Sequence, residues 1–167
     1  LNYLQKLANT DMLTEVHNRN AYENKIKYLE THKEELQTTG IVLLDLDNLK
    51  TINDHFGHEK GDEAIRLCGQ YIQQIFQNKE NCFRIGGDEF AVIITENPSQ
   101  VEELIHSFDS NVANWHGKFV DSMTVSYGWV FSTERNWDSA YEISKAADAR
   151  MYQRKERYYR ESGADRR

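Results

Sequence analysis

The sequence predicts an α+β domain of ferredoxin-like, palm-like βαββαβ order, an antiparallel sheet with flanking helices. Three observations carry this expectation. The continuous apolar run Ile41-Val42-Leu43-Leu44 has the pattern of a strand buried on both faces. Two strand-favouring runs on either side of Gly86-Gly87 form a hairpin. Each of these units is followed by a helical periodicity, and an alternating run, Met123 to Val130, completes the order.

Taken in order, Leu1, Leu4 and Leu7 recur every three residues and read as the last turns of an amphipathic helix, either a simple lead-in or the end of a coiled coil. Thr10 to Thr14 interrupts it, with Thr10 or Asp11 as candidate caps. A helix is expected from about 20 to 35, with Tyr22, Ile26 and Leu29 inward. The first strand then ends in Asp45-Leu46-Asp47, and Asp47 is placed to cap a short helix over 48–56. Residues 57–62 read as a loop with two glycines. An amphipathic helix over 63–77 and the hairpin over 81–95 come next. Pro98 marks the first turn of a helix to about residue 115. The alternating strand and a last helix, opened by Asp138-Ser139 and ended by Ser162-Gly163, complete the chain. The helices are expected on one side of the sheet, with the first strand and the hairpin strands side by side at its centre.

Composition narrows the function classes. The chain has 167 residues, enough for one domain with a full core. A formal net charge of −7 argues against broad nonspecific nucleic-acid binding. Two cysteines, Cys68 and Cys82, are too few for a disulfide framework and are not spaced for a zinc site, so a reduced cytoplasmic setting is expected. No apolar run approaches the ~18 residues of a membrane span.

The chemistry is concentrated in carboxylates. Asp45 closes an otherwise apolar strand, where a carboxylate is costly to bury unless something such as a metal ion compensates it. Asp88 and Glu89 follow the Gly-Gly pair, whose tight turn is expected to use the positive φ that glycine tolerates. One residue apart in a strand, the two acids are expected on opposite faces. The βαββαβ order brings the end of the first strand to the hairpin turn, so Asp45 is expected to meet Asp88. That is the arrangement of a two-metal phosphoryl-transfer centre.

Several ordered motifs resemble the GGDEF family, the diguanylate cyclases, over nearly the whole chain. They are Asp11-Met12-Leu13-Thr14 with Asn18-Arg19, the block from Asp45 to Asp62, Arg84-Ile85-Gly86-Gly87-Asp88-Glu89-Phe90, Thr124-Val125-Ser126-Tyr127-Gly128, and Ala147 to Tyr152 with Lys155. The resemblance implies that two GTP molecules, one per domain of a homodimer, condense into cyclic di-GMP and two pyrophosphates. The implied cofactor is Mg²⁺ or Mn²⁺. By similarity Asp45, Asp88 and the Leu46 carbonyl ligate the metal, and Asp88 is also the candidate proton acceptor. Glu89 is a neighbouring acid with a base or supporting role. Lys50 neutralises phosphate charge, Asn53 and Asp62 read guanine, and His58 contacts the nucleotide. Gly86 and Gly87 admit the α-phosphate, and Lys155 grips the phosphates. On their own, Asn53 also reads as a helix-end residue and Asp62 as a cap for the helix from Glu63.

The sequence departs from the family pattern at three places. Tyr159 stands at the usual arginine position on the last helix. Gln77-Asn78-Lys79-Glu80 replaces the R-x-x-D of a product-inhibition site, so no inhibitory site of that type is expected. Glu15 stands where glycine is common. The expected organisation is a connector helix end at 1–9 and a GGDEF catalytic domain at 10–167, with an upstream sensor or membrane region in the full-length protein. The alternative expectation is a catalytically weak GGDEF domain that binds GTP and regulates an attached domain.

Overall fold

A computed structural model of the chain describes residues 2–94, 98–114 and 123–163. A short helix, α1 (Tyr3–Asn9), leads to α2 (Arg19–Thr31) and the single turn α3 (Lys33–Leu36). The expected helix over 20–35 is therefore broken at His32, which has the non-helical backbone angles φ −125°, ψ 68°. Then follow β1 (Gly40–Leu46), α4 (Leu49–Phe56), α5 (His58–Phe76), β2 (Cys82–Arg84), β3 (Glu89–Ile94), α6 (Pro98–Ala113), β4 (Val125–Phe131) and α7 (Ala140–Ser162). The expected ends of the hairpin at Thr95 and of α6 at Trp115 lie outside the described residues.

The four strands run in the order β2-β3-β1-β4, with every pairing antiparallel. This is the ferredoxin-like order. β1 pairs with β3 and β4, and β2 lies beyond β3, so only one hairpin strand touches β1. Every residue of β1 is buried, as its unbroken apolar run requires.

The helices are not confined to one side. Val42, Leu44 and Leu46 of β1 pack on a cluster fed by α5 and α6, including Ile72, Ile105 and Phe108. Ile41 and Leu43 point the other way, into a cluster with Leu29 of α2 and Ile143, Ala147 and Met151 of α7. Both faces thus carry a core, and α7 is the lid on the second. Gly128 lets it approach: a Cβ there would lie 2.3 Å from the Met151 amide nitrogen and 2.4 Å from the Ala147 carbonyl oxygen.

The outer edge of β2 is occupied by the segment after α1. His17 donates its backbone N–H to the Cys82 carbonyl at 3.1 Å and accepts from the Arg84 amide at 2.7 Å. In the same segment Glu15 has a φ of 66°, left-handed backbone that explains the family's glycine there and strains a glutamate by roughly 1 kcal/mol.

Gly128→Ala should force α7 away from the sheet, because both atoms in the way are backbone. We expect a loss of about 2–3 kcal/mol in chemical denaturation. An unchanged midpoint would mean that α7 is not held this closely.

Candidate active site

The site forms where β1 runs out. Asp45 follows Ile41 and Leu43 on the α7 face of the sheet and is 7% exposed. One carboxylate oxygen, Oδ2, accepts from Lys155 Nζ of α7 at 2.9 Å. The other, Oδ1, is buried with no hydrogen-bond partner among the described residues. Burial and then the neighbouring Asp88 push the Asp45 pKa up to about 8, with Lys155 pulling against them. Asp45 and Asp88 are therefore brought together as expected. Their backbones are also tied, since the Leu46 amide donates to the Asp88 carbonyl at 3.0 Å.

Lys155 lies across this pair. Its ammonium donates to the Leu46 carbonyl at 3.0 Å as well as to Asp45, and stands 3.8 Å from Asp47. Burial disfavours its charge, but Asp45, Tyr159 and Asp47 together outweigh burial and raise its pKa. The lysine thus sits on the oxygens that the family resemblance gives to the metal.

Asp47 does not cap α4. It is 3% exposed and accepts from Ser126 Oγ at 2.7 Å and Thr124 Oγ1 at 3.0 Å. Its backbone amide donates to the Thr124 carbonyl at 3.1 Å. The Thr-x-Ser-x-Gly motif is therefore a clasp: two hydroxyls anchor the end of β1 to β4, and Gly128 admits α7. The residue before α4 is instead Asn48, with φ 62° and no side-chain bond to the helix.

The hairpin turn differs from expectation. Four residues, Ile85 to Asp88, separate β2 from β3, and among the described residues the positive-φ glycines are Gly57 and Gly163, not Gly86 or Gly87. The turn is held by arginines instead. Arg84 donates to the Gly87 carbonyl at 2.8 Å and to both Asp11 carboxylate oxygens, at 3.1 and 3.3 Å. Arg19 donates to the Ile85 carbonyl at 3.1 Å. Asp11 in turn accepts from the Thr14 amide and hydroxyl at 2.9 and 2.6 Å, so the opening Asp-x-Leu-Thr motif is a brace for the turn. A Cβ on Gly87 would meet nothing within 4 Å. Neither strain nor crowding inside the chain demands glycine there, and a side chain would project into open space.

Strand alternation does not separate Asp88 from Glu89, because Asp88 belongs to the turn. Glu89 pairs directly with Asp45 across the ladder, and cross-strand partners share a face. Its pKa is raised by burial, then by Asp148 and Asp88, against Lys155 and Arg19. Glu89 also lines a cavity of about 550 Å³ between α2 and α7 that includes neither Asp45 nor Asp88.

The remaining candidates lie on α4 and α5. The expected loop over 57–62 is mostly helix, since α5 starts at His58 after a single left-handed residue, Gly57, with φ 88°. Asp62 is thus inside the helix rather than its cap, and shares a face with His58 at i, i+4. A Cβ on Gly61 would fall 1.8 Å from Asn53 Oδ1, so the carboxamide lies against α5 beside Asp62. Lys50 is exposed and paired with Asp54 at 2.8 Å.

Two carboxylates and a main-chain carbonyl are hard oxygen donors, suited to a hard divalent cation. Among the described residues no group of three or more His, Cys, Asp or Glu side chains forms a complete cage. Such a partial set is how Mg²⁺ is usually held, with substrate phosphates and water completing the shell.

The family described as "Diguanylate cyclase, GGDEF domain" matches residues 8–160. This chain belongs to the GGDEF family. It is 30% identical over 158 residues to the diguanylate cyclase DgcN of Escherichia coli, covering 91% of this chain and 38% of that protein. It is also 33% identical over 156 residues to the cyclic di-GMP phosphodiesterase PdeR of the same organism, covering 92% of this chain and 23% of the relative. The chain thus spans well under half of these relatives. The coiled coil and GGDEF domain of DgcB from Caulobacter crescentus, solved in complex with c-di-GMP, superposes with a TM-score of 0.76 at 26% identity, covering 98% of this chain and 86% of that one. Among the described residues of this GGDEF domain, no helix is long and apolar enough to cross a membrane.

Asp45 makes a testable demand on stability. A carboxyl whose folded pKa lies above its unfolded value near 3.8 costs stability as pH rises from about 4 toward about 8. In metal-free buffer Asp45→Asn should therefore raise Tm at pH 8, on the order of 5 °C, with the gain shrinking toward pH 4. An equal or lower Tm at pH 8 would mean that the Lys155 pair outweighs burial.

Proposed function

We propose that this domain is a diguanylate cyclase that condenses two GTP into cyclic di-GMP and two pyrophosphates, one GTP on each domain of a homodimer. The observation that carries the reading is the Asp45 carboxylate: buried, raised in pKa, with one oxygen unpartnered, beside Asp88 and the Leu46 carbonyl. A buried acid so placed is costly to the fold and useful to a cation.

Asp45, Asp88 and the Leu46 carbonyl would hold Mg²⁺ or Mn²⁺. When bound, such a cation neutralises triphosphate charge and eases ionisation of the attacking hydroxyl. The turn at Gly86-Gly87 leaves room for the α-phosphate at its open side. Asn53, Asp62 and His58 form the nucleotide-reading surface: the Asp62 carboxylate accepts from guanine N1–H and its exocyclic amine, a donor pair that adenine lacks. Lys155 moves its charge from the carboxylates to the phosphates, and Lys50 exchanges Asp54 for phosphate. Each 3′-hydroxyl attacks the α-phosphate held by the partner domain. The new P–O bond forms as pyrophosphate leaves, and the hydroxyl proton passes to Asp88 or Glu89.

One observation favours a second reading, a weak GGDEF domain that binds GTP and regulates an attached domain. Tyr159 takes the family's arginine position and is buried, so it offers no positive charge to a triphosphate.

Incubation with GTP and Mg²⁺, at high protein concentration or with a dimeric coiled coil fused ahead of residue 1, should yield cyclic di-GMP. GTP binding without product would favour the regulatory reading. Asp88→Ala should lower product formation more than about 100-fold, beyond what loss of an outer partner costs, with the circular dichroism spectrum unchanged. Retained turnover would refute the metal assignment.

A further inference from the structure

We propose that Tyr159 and Tyr158 form a positioning latch that fixes the β1–α4 turn, and with it the Asp45 and Leu46 oxygens, in place of the phosphate-directed arginine. The proposal rests on reading those oxygens as cation ligands. Tyr159 is 7% exposed, and its hydroxyl accepts from the Asn48 backbone amide at 3.2 Å. The Asn48 side-chain amide donates to the Tyr158 hydroxyl. The two rings stack edge-on, with centroids 5.1 Å apart and an interplanar angle of 77°.

The latch closes on a residue that needs holding. Asn48 is left-handed, with φ 62°, and its side chain does not cap α4. Its amide nitrogen is committed to Tyr158, and its Oδ1 is buried with no partner among the described residues. Lys155, one helical turn before Tyr159, contacts Asp45 and Leu46 and stands near Asp47. The end of α7 therefore grips four consecutive residues, 45–48. The Tyr159 hydroxyl reaches backbone and its ring faces the Lys155 ammonium, 5.8 Å from the ring centre, so the side chain supplies geometry to the turn and no charge to the substrate. The chain has exchanged an arginine aimed at phosphate for a hydroxyl aimed at its own metal loop.

Tyr159→Phe removes the hydroxyl and keeps the ring, and Tyr158→Phe tests the second arm with Tyr159 in place. Three readouts separate the possibilities: Mn²⁺ binding by electron paramagnetic resonance without nucleotide, backbone amide exchange over residues 46–49, and the GTP KM at saturating Mn²⁺. We expect Tyr159→Phe to weaken Mn²⁺ binding about 10-fold, as loss of an outer partner does. Exchange at Asn48 should accelerate selectively, with KM little changed, and Tyr158→Phe should move both quantities the same way by less. Unchanged Asn48 exchange would overturn the latch. So would unchanged Mn²⁺ affinity with a raised KM, which would put Tyr159 on the nucleotide, or a loss of protection spread evenly over the fold. If the wild-type chain binds no Mn²⁺, the cation reading fails by itself, and the Asn48 exchange still decides whether the latch exists.

Discussion

The ion pair between Asp45 and Lys155 is the constraint around which this domain is arranged. A carboxylate at the end of a strand buried on both faces carries a desolvation cost that one ammonium only partly offsets, as the raised pKa of Asp45 records. Bringing that ammonium into place requires α7 to lie against β4, which requires Gly128. It requires the end of β1 to stay fixed, which the Thr124 and Ser126 hydroxyls achieve through Asp47. The fold spends stability at one point and recruits three elements to contain it.

The hairpin turn is supported by a separate chain of contacts. Asp11 holds Arg84, and Arg84 and Arg19 hold the turn's carbonyls from within. With those carbonyls occupied, the turn keeps its shape without left-handed glycines. Gly87 then matters for what it leaves empty. The two supports meet at the Leu46–Asp88 backbone bond, which links the end of β1 directly to the turn.

Much of this was legible in the sequence, for physical reasons that differ by element. The unbroken apolar run of β1 and the paired runs of the hairpin make the βαββαβ order legible, and that order brings Asp45 to Asp88, while the place of β2 at the sheet edge is decided by which hairpin strand pairs with β1. Other features were hidden because local signals have alternative satisfiers. Asp47 looked like a helix cap because aspartate before a helix usually is one, and only the arrival of β4 supplies better donors. Gly57 and Gly61 suggested a loop, but Gly61 belongs to a helix whose neighbour crowds it. Alternation starts at Glu89, the first residue of β3, and not at Asp88 in the turn, so the face of Glu89 is set by its pairing with Asp45. The arginines of the turn were visible as letters of a motif, without a stated task until Asp11 stood beside them. Tyr159 was legible only as a departure.

The segment bridging the outer side of β2 bears on how copies of this domain can meet. An open strand edge invites another chain to extend the sheet, a hazard that natural proteins blunt by covering the edge. Here the His17 backbone answers the Cys82 carbonyl and the Arg84 amide, so that margin has no vacant ladder to offer. A second copy of the chain would therefore find no free strand to extend the sheet along β2. The sheet's other margin is β4, so the cover acts at one edge of the sheet and not at both.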